Sequence, residues 1–132
     1  MGDALRELRV LALDCQAGGA TPAYGDLLEL GWAVCAPEGI LGTVRNHWVL
    51  PRTERRVPRA VRELTGWSES CNEAALDEAQ AWHRLRADGV ELSPAGAPAP
   101  TVIHFARFEL PFLQDLHARL GEHELFPFDA VC

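Results

Sequence analysis

Residues 8–14 run Leu8, Arg9, Val10, Leu11, Ala12, Leu13 and then a carboxylate, Asp14. An apolar stretch so nearly unbroken is expected where both faces of a sheet are covered, and it predicts a central strand. Cys15, Gln16, Ala17, Gly18 and Gly19 follow as a turn. Residues 27–35 form a second strand with few charges, and Pro37, Glu38 and Gly39 then reverse the chain. Residues 40–50 predict a third strand, in which Val44, Trp48 and Leu50 mix with Arg45, Asn46 and His47, the pattern of a half-exposed edge. Connections this short join antiparallel neighbours, so the three strands form a meander.

The spacing then becomes helical. Pro58 suits the first turn of a short helix over residues 58–64, stopped by Gly66. Asn72 can cap a helix over residues 73–88, with Leu76, Ala79, Trp82 and Leu85 on one stripe and Gly89 as its end. Residues 90–100 are broken by Pro94, Gly96, Pro98 and Pro100, which predicts a surface linker. A short buried strand over residues 101–104 precedes a helix over residues 109–120, with Phe112, Leu113, Leu116 and Leu120 inward and Pro111 in its first turn. Residues 126–131 supply a further strand. A meander followed by helix-linked strands is a mixed α/β sheet.

Composition bounds the rest. With 132 residues, 48% of them apolar, the chain is expected to be a single domain, residues 1–132, with a real core. Its formal net charge of −7 excludes an overall basic field, so nucleic-acid contact must be local, metal-assisted or supplied by a partner. The one basic stretch, Arg52, Arg55, Arg56, Arg59 and Arg62, is interleaved with Glu54 and Glu63 and reads as a solvated loop and first helical turn rather than a phosphate site. Cys15, Cys35, Cys71 and Cys132 are too scattered for a zinc or redox motif and are expected to be free thiols. No stretch approaches the roughly 20 apolar residues of a membrane span and no leader opens the chain, so the expected compartment is the cytoplasm and no membrane partner is expected.

Asp14 is the first candidate for chemistry, because an acid at the end of a central strand sits at the carboxyl edge, where ligands bind in open sheets. The alternative is that Asp14 only ends the strand and caps the turn.

Four segments resemble those of a known family: Asp14-Cys15-Gln16-Ala17-Gly18-Gly19; Asp26-Leu27-Leu28-Glu29-Leu30-Gly31; Leu64-Thr65-Gly66; and His104-Phe105-Ala106-Arg107-Phe108-Glu109. In this order they resemble the DEDDh 3′-to-5′ exonucleases, ribonuclease-H-like domains that include the proofreading epsilon subunit of bacterial DNA polymerase III. The resemblance implies a ribonuclease-H-like mixed sheet flanked by helices, with the C-terminal part of the family fold missing from a chain truncated relative to the family. It also implies a nucleic-acid 3′ end as partner, a further protein partner or parent polypeptide, and two divalent ions, Mg²⁺ or Mn²⁺, about 4 Å apart, that activate water for phosphodiester cleavage.

The resemblance places Asp14, Gln16 and Glu109 at catalytic positions, Asp14 and Glu109 as metal ligands, and Ala17, Gly18, Gly19 and Phe105 against the substrate. The departures are specific. Gln16 stands where the family has Glu, keeping a carbonyl oxygen and losing the charge that anchors a hard cation. Glu109 replaces Asp, one methylene longer. Phe105 replaces a polar Asn, Ala17 and Gly18 replace two Thr, and the third motif, with its general-base His and last Asp, is absent. His104 corresponds to a strand-end His with a hydrogen-bonded structural role, not to the base, and Asp129 to a residue that organises a strand end. The leading expectation is an exonuclease-fold, nucleic-acid-associated domain with weak or absent metal, used in binding or scaffolding. Two others stay open: an active exonuclease completed by residues outside the chain, and a structural module without nucleic-acid contact.

Overall fold

A computed structural model describes residues 6–52, 56–93, 96–121 and 124–132. Glu54 and Arg55 of the basic stretch and Pro94 of the linker lie outside the described residues. Five strands, β1 (Val10–Ala17), β2 (Leu27–Ala36), β3 (Gly39–Trp48), β4 (Ala99–Ile103) and β5 (Phe128–Val131), form one sheet in the order β3-β2-β1-β4-β5. The meander is antiparallel, and β1–β4 and β4–β5 pair in parallel, with Leu13 opposite Ile103 and Ala99 opposite Phe128. β1 is therefore central and β3 an edge, as the apolar pattern predicts. Among the described residues three α-helices accompany the sheet: α1 (Arg59–Thr65), α2 (Glu78–Val90) and α3 (Ala106–Leu120).

The core lies on one side of the sheet. Along β1, Leu11, Leu13, Cys15 and Ala17 are buried while Ala12, Asp14 and Gln16 point the other way. The buried set meets Ala81, Trp82 and Leu85 of α2 and Phe112, Leu113 and Leu116 of α3. A smaller cluster of Leu28, Val57 and Trp67 ties the segment carrying α1 to β2. Arg62 lies over the Trp67 ring and pairs with Glu69 at 2.6 Å, while Arg59 pairs with Glu63, so these members of the basic stretch are engaged locally.

Several boundaries differ from the sequence expectation for identifiable reasons. β1 starts at Val10 rather than Leu8 and runs past Asp14 to Ala17, because Cys15 and Ala17 keep the inward alternation and go on pairing with β2. Nor is the strand covered on both faces among the described residues: Ala12 is half-buried and Asp14 exposed. The helix expected from Asn72 starts at Glu78 instead, after a 3-10 turn at Glu69–Glu73. Asp77 and Gln80 form a reciprocal cap there, the Gln80 N–H donating to Asp77 at 2.8 Å and the Asp77 N–H to the Gln80 side chain at 3.1 Å. Leu76 is thereby freed to bridge to Val49, and Ala81 takes the inward place assigned to Ala79. Gly89 lies inside α2, where a Cβ would stand 3.2 Å from the Phe128 ring. β4 takes up Ala99 and Pro100 from the linker and ends before His104. α3 begins three residues before Glu109, so Pro111 falls beyond its first turn. β3 and β5 are each two residues shorter at one end than predicted, losing Val49 and Leu50 and losing Phe126 and Pro127.

Candidate functional site

The site follows from where the parallel ladder stops. β4 pairs with β1 only as far as Leu13, so from Asp14 onward β1 has β2 on one side and the start of α3 on the other. The Cys15 N–H consequently has no strand partner on that side. The Glu109 carboxylate takes it, with Oε1 accepting at 2.6 Å, while Oε2 accepts from the Phe105 N–H at 3.1 Å. One buried carboxylate thus fastens the central strand to the first turn of α3, where the helix dipole also favours an anion. Residues 94 apart in sequence are joined by a charge-assisted hydrogen bond.

Asp14 sits beside it. Burial is the main reason the Glu109 carboxyl titrates above the usual carboxylate range; the Cys15 N–H opposes the rise, and a hydrogen bond and charge repulsion from Asp14 add to it. Beside Asp14, Glu109 therefore holds its proton more readily than an isolated Glu does. Burial, and then the Glu109 charge, also drive the Cys15 thiol well above its ordinary range, so Cys15 is an inert core thiol. All four cysteines are free.

The remaining predicted positions separate. Gln16 is half-buried on the same side of β1 as Asp14, opposite Glu29 of β2. Ala17 is buried at the end of β1, and the Gly18 N–H donates to the Asp26 carbonyl at 2.8 Å. Gly19 and Gly25 close the following loop by direct backbone approach: a Cβ on Gly25 would lie 2.1 Å from the Gly19 nitrogen. Phe105 is 60% exposed at the N-cap of α3, its ring against Phe108. His104 is exposed next to it, and its carbonyl accepts from the Cys132 thiol at 3.2 Å. Asp129 lies within β5 rather than at its end, exposed and opposite Pro100. Glu29 was not singled out from sequence. Its signal is parity: it shares the outward alternation of Gly31, the residue opposite Asp14, and the Asn46 amide donates to it at 3.2 Å.

Among the described residues, no group of three or more His, Cys, Asp and Glu side chains is gathered to hold a metal ion. None of the described helices is long and apolar enough to cross a membrane.

A five-stranded mixed sheet in this order, with helices packed against it and acids at the end of its parallel half, is a ribonuclease-H-like exonuclease fold. E. coli exonuclease I bound to a dT13 oligonucleotide superposes with a TM-score of 0.71 at 15% identity, over 86% of this chain and 24% of that one. A complex of exonuclease I with SSB-Ct gives 0.70 at 15% identity, over 84% and 24%, and the metal-free exonuclease I–ssDNA complex gives 0.71 at 14% identity, over 86% and 24%. The chain thus spans about a quarter of the length of these structures. No protein-family model and no curated protein matches it.

Proposed function

We propose that this chain is a nucleic-acid-associated exonuclease-fold domain in which the two-metal site is impaired or lost, and that it acts by binding or scaffolding. The observation that carries the reading is Gln16, a neutral amide on the same side of β1 as Asp14, at the position where the resembling family holds a second carboxylate. Hard divalent ions held close together require several anionic oxygens. The carboxyls in contact here are Asp14 and Glu109, and each oxygen of Glu109 already accepts a backbone N–H. That donor set does not fit a pair of Mg²⁺ or Mn²⁺ ions. The oligonucleotides bound by the exonuclease I structures support a nucleic-acid 3′ end as ligand, and the SSB-Ct complex supports a protein partner. Phe105, exposed beside the acids, offers a base a stacking surface, and Ala17, Gly18 and Gly19 lead from β1 into the loop that Gly25 closes. A cytoplasmic location belongs to the same reading.

The contact between Asp14 and Glu109 favours a second reading, an active metal-dependent 3′-to-5′ exonuclease completed by residues outside this chain. Incubation of the chain with a 3′-labelled single strand in Mg²⁺ or Mn²⁺ separates the two. The expected result is an intact label. Metal-dependent shortening abolished by Asp14→Ala would establish the second reading.

A further inference from the structure

Of the described Phe, Tyr and Trp rings, two are exposed, Phe105 at 60% and Tyr24 at 78%. Phe105 opens α3, and Tyr24 sits in the loop joining β1 to β2. That loop is closely bonded. The Gly18 N–H donates to the Asp26 carbonyl at 2.8 Å, and the Tyr24 and Gly25 N–H groups donate to the Thr21 carbonyl at 2.9 and 3.0 Å. Gly19 approaches Tyr24 and Gly25 so closely that a Cβ there would lie 2.7 Å from the Tyr24 carbonyl. A ring held in water by an ordered backbone has little conformational entropy left to lose when a ligand covers it.

Beside the ring stands a cation. Tyr24, Gly18 and Arg56 line one recess, whose single acid, Asp26, is buried and partnered. Arg56 is exposed and, among the described residues, in no ion pair, whereas Arg59 and Arg62 of the same basic stretch pair with Glu63 and Glu69. The Arg56 charge reaches Glu69, but Arg62 already holds that carboxylate at 2.6 Å. In a chain of net charge −7 any phosphate contact must be local, and an unpaired guanidinium next to an exposed ring supplies one.

We infer that Tyr24 and Arg56 form a holding site for single-stranded nucleic acid, the ring stacking on a base and the guanidinium taking an adjacent backbone phosphate. Stacking on aromatic rings and charge-assisted bonds from Arg to phosphate hold single strands without regard to sequence. The inference rests on the reading of this chain as a nucleic-acid-associated domain and adds where the strand is held. It uses neither Asp14 nor Glu109, so it operates with or without a metal.

The test is the anisotropy of a fluorescein-labelled dT13 strand titrated with the full chain in EDTA, which removes cleavage from the readout. Tyr24→Ala should weaken binding about fivefold or more, and Tyr24→Phe should retain it. An abasic strand of the same length should bind less tightly and be indifferent to Tyr24→Ala. Arg56→Gln should lower the slope of log Kd against log salt by about 0.7, the value of one phosphate contact on a single strand. Arg84→Gln, which removes an exposed charge on α2 that is in no ion pair among the described residues, should leave the slope unchanged. These positions are exposed, so the thermal melts should match wild type. Three results overturn the inference: no effect of Tyr24→Ala on dT13, an equal loss on dT13 and the abasic strand, or equal slopes for Arg56→Gln and Arg84→Gln. Displacement of the strand by dTMP at equal affinity would give the recess to a free nucleotide and overturns it too. No binding of dT13 by the wild-type chain fails the underlying nucleic-acid reading, whereas binding that Tyr24→Ala and Arg56→Gln leave intact fails this inference alone.

Discussion

The two faces of the sheet share the same strands and differ in nearly everything else. On one, Leu11, Leu13 and Cys15 meet Trp82, Leu85, Phe112 and Leu113, all buried. On the other, Ala12 and Asp14 of the same strand line a groove, Gln16 is half-buried, and Val44 and Val102 stand open to solvent. The difference separates what folds the chain from what the chain presents. Stability resides where large aliphatic and aromatic residues interlock, whereas the open face carries acids, an amide and small residues.

The comparison breaks most visibly at Trp82. Its indole is fully buried, edge-on to Phe128 and beside His117. Trp82→Ala should cost about 3–5 kcal/mol in urea unfolding, a large share of the stability of a domain this size. The joint between the faces comes next. Glu109→Ala leaves the Cys15 and Phe105 N–H groups without their acceptor, and the expected loss is about 2 kcal/mol. Glu109→Gln should cost less, since its carbonyl retains one of the two bonds.

Glu109 also has a pH signature of definite sign. Because its folded titration point is raised, the native state holds more protons than the unfolded chain between the ordinary glutamate value of 4.5 and the raised one. Stability from this group is therefore full below 4.5 and declines as pH rises through that window. The difference between wild type and Glu109→Gln, followed by chemical unfolding from pH 4 upward, should show this decline, and Asp14→Asn should shrink it by removing the neighbour that helps raise Glu109. The smallest effect belongs to the open face: Val102→Thr should change stability by less than about 0.5 kcal/mol.

Much of the fold was legible in the sequence because it rests on local signals. The turn at Pro37 and Glu38 sets the meander, and Pro58 and Gly66 bound α1, Gly66 adopting the left-handed conformation that ends a helix readily without a Cβ. Where two local signals competed, the stronger lay elsewhere: the Asp77–Gln80 reciprocal cap displaced the start expected at Asn72. The apolar run at β1 was read as two covered faces because hydrophobicity alone does not distinguish a residue buried in a core from one lining an open groove. Asp14 and Glu109 were legible as acids after strands on one sheet edge. The bracket from Glu109 to the Cys15 and Phe105 amides was not, since it depends on the parallel ladder ending at Leu13, a matter of register between distant segments.

Calorimetric titration with Mn²⁺ measures whether the charge count at Asp14, Gln16 and Glu109 is too low for two metals. Weak heat is expected for the wild-type chain and clearly tighter binding for Gln16→Glu, which adds a carboxylate on the same side of β1 as Asp14 without disturbing the Glu109 bracket. The combined change with Glu109→Asp should also bind more tightly than wild type, at some cost in stability, because the shorter side chain must leave the Cys15 amide to do so. Tight two-site Mn²⁺ binding by the unmodified chain, lost on Asp14→Ala, would show instead that the two-metal site is intact.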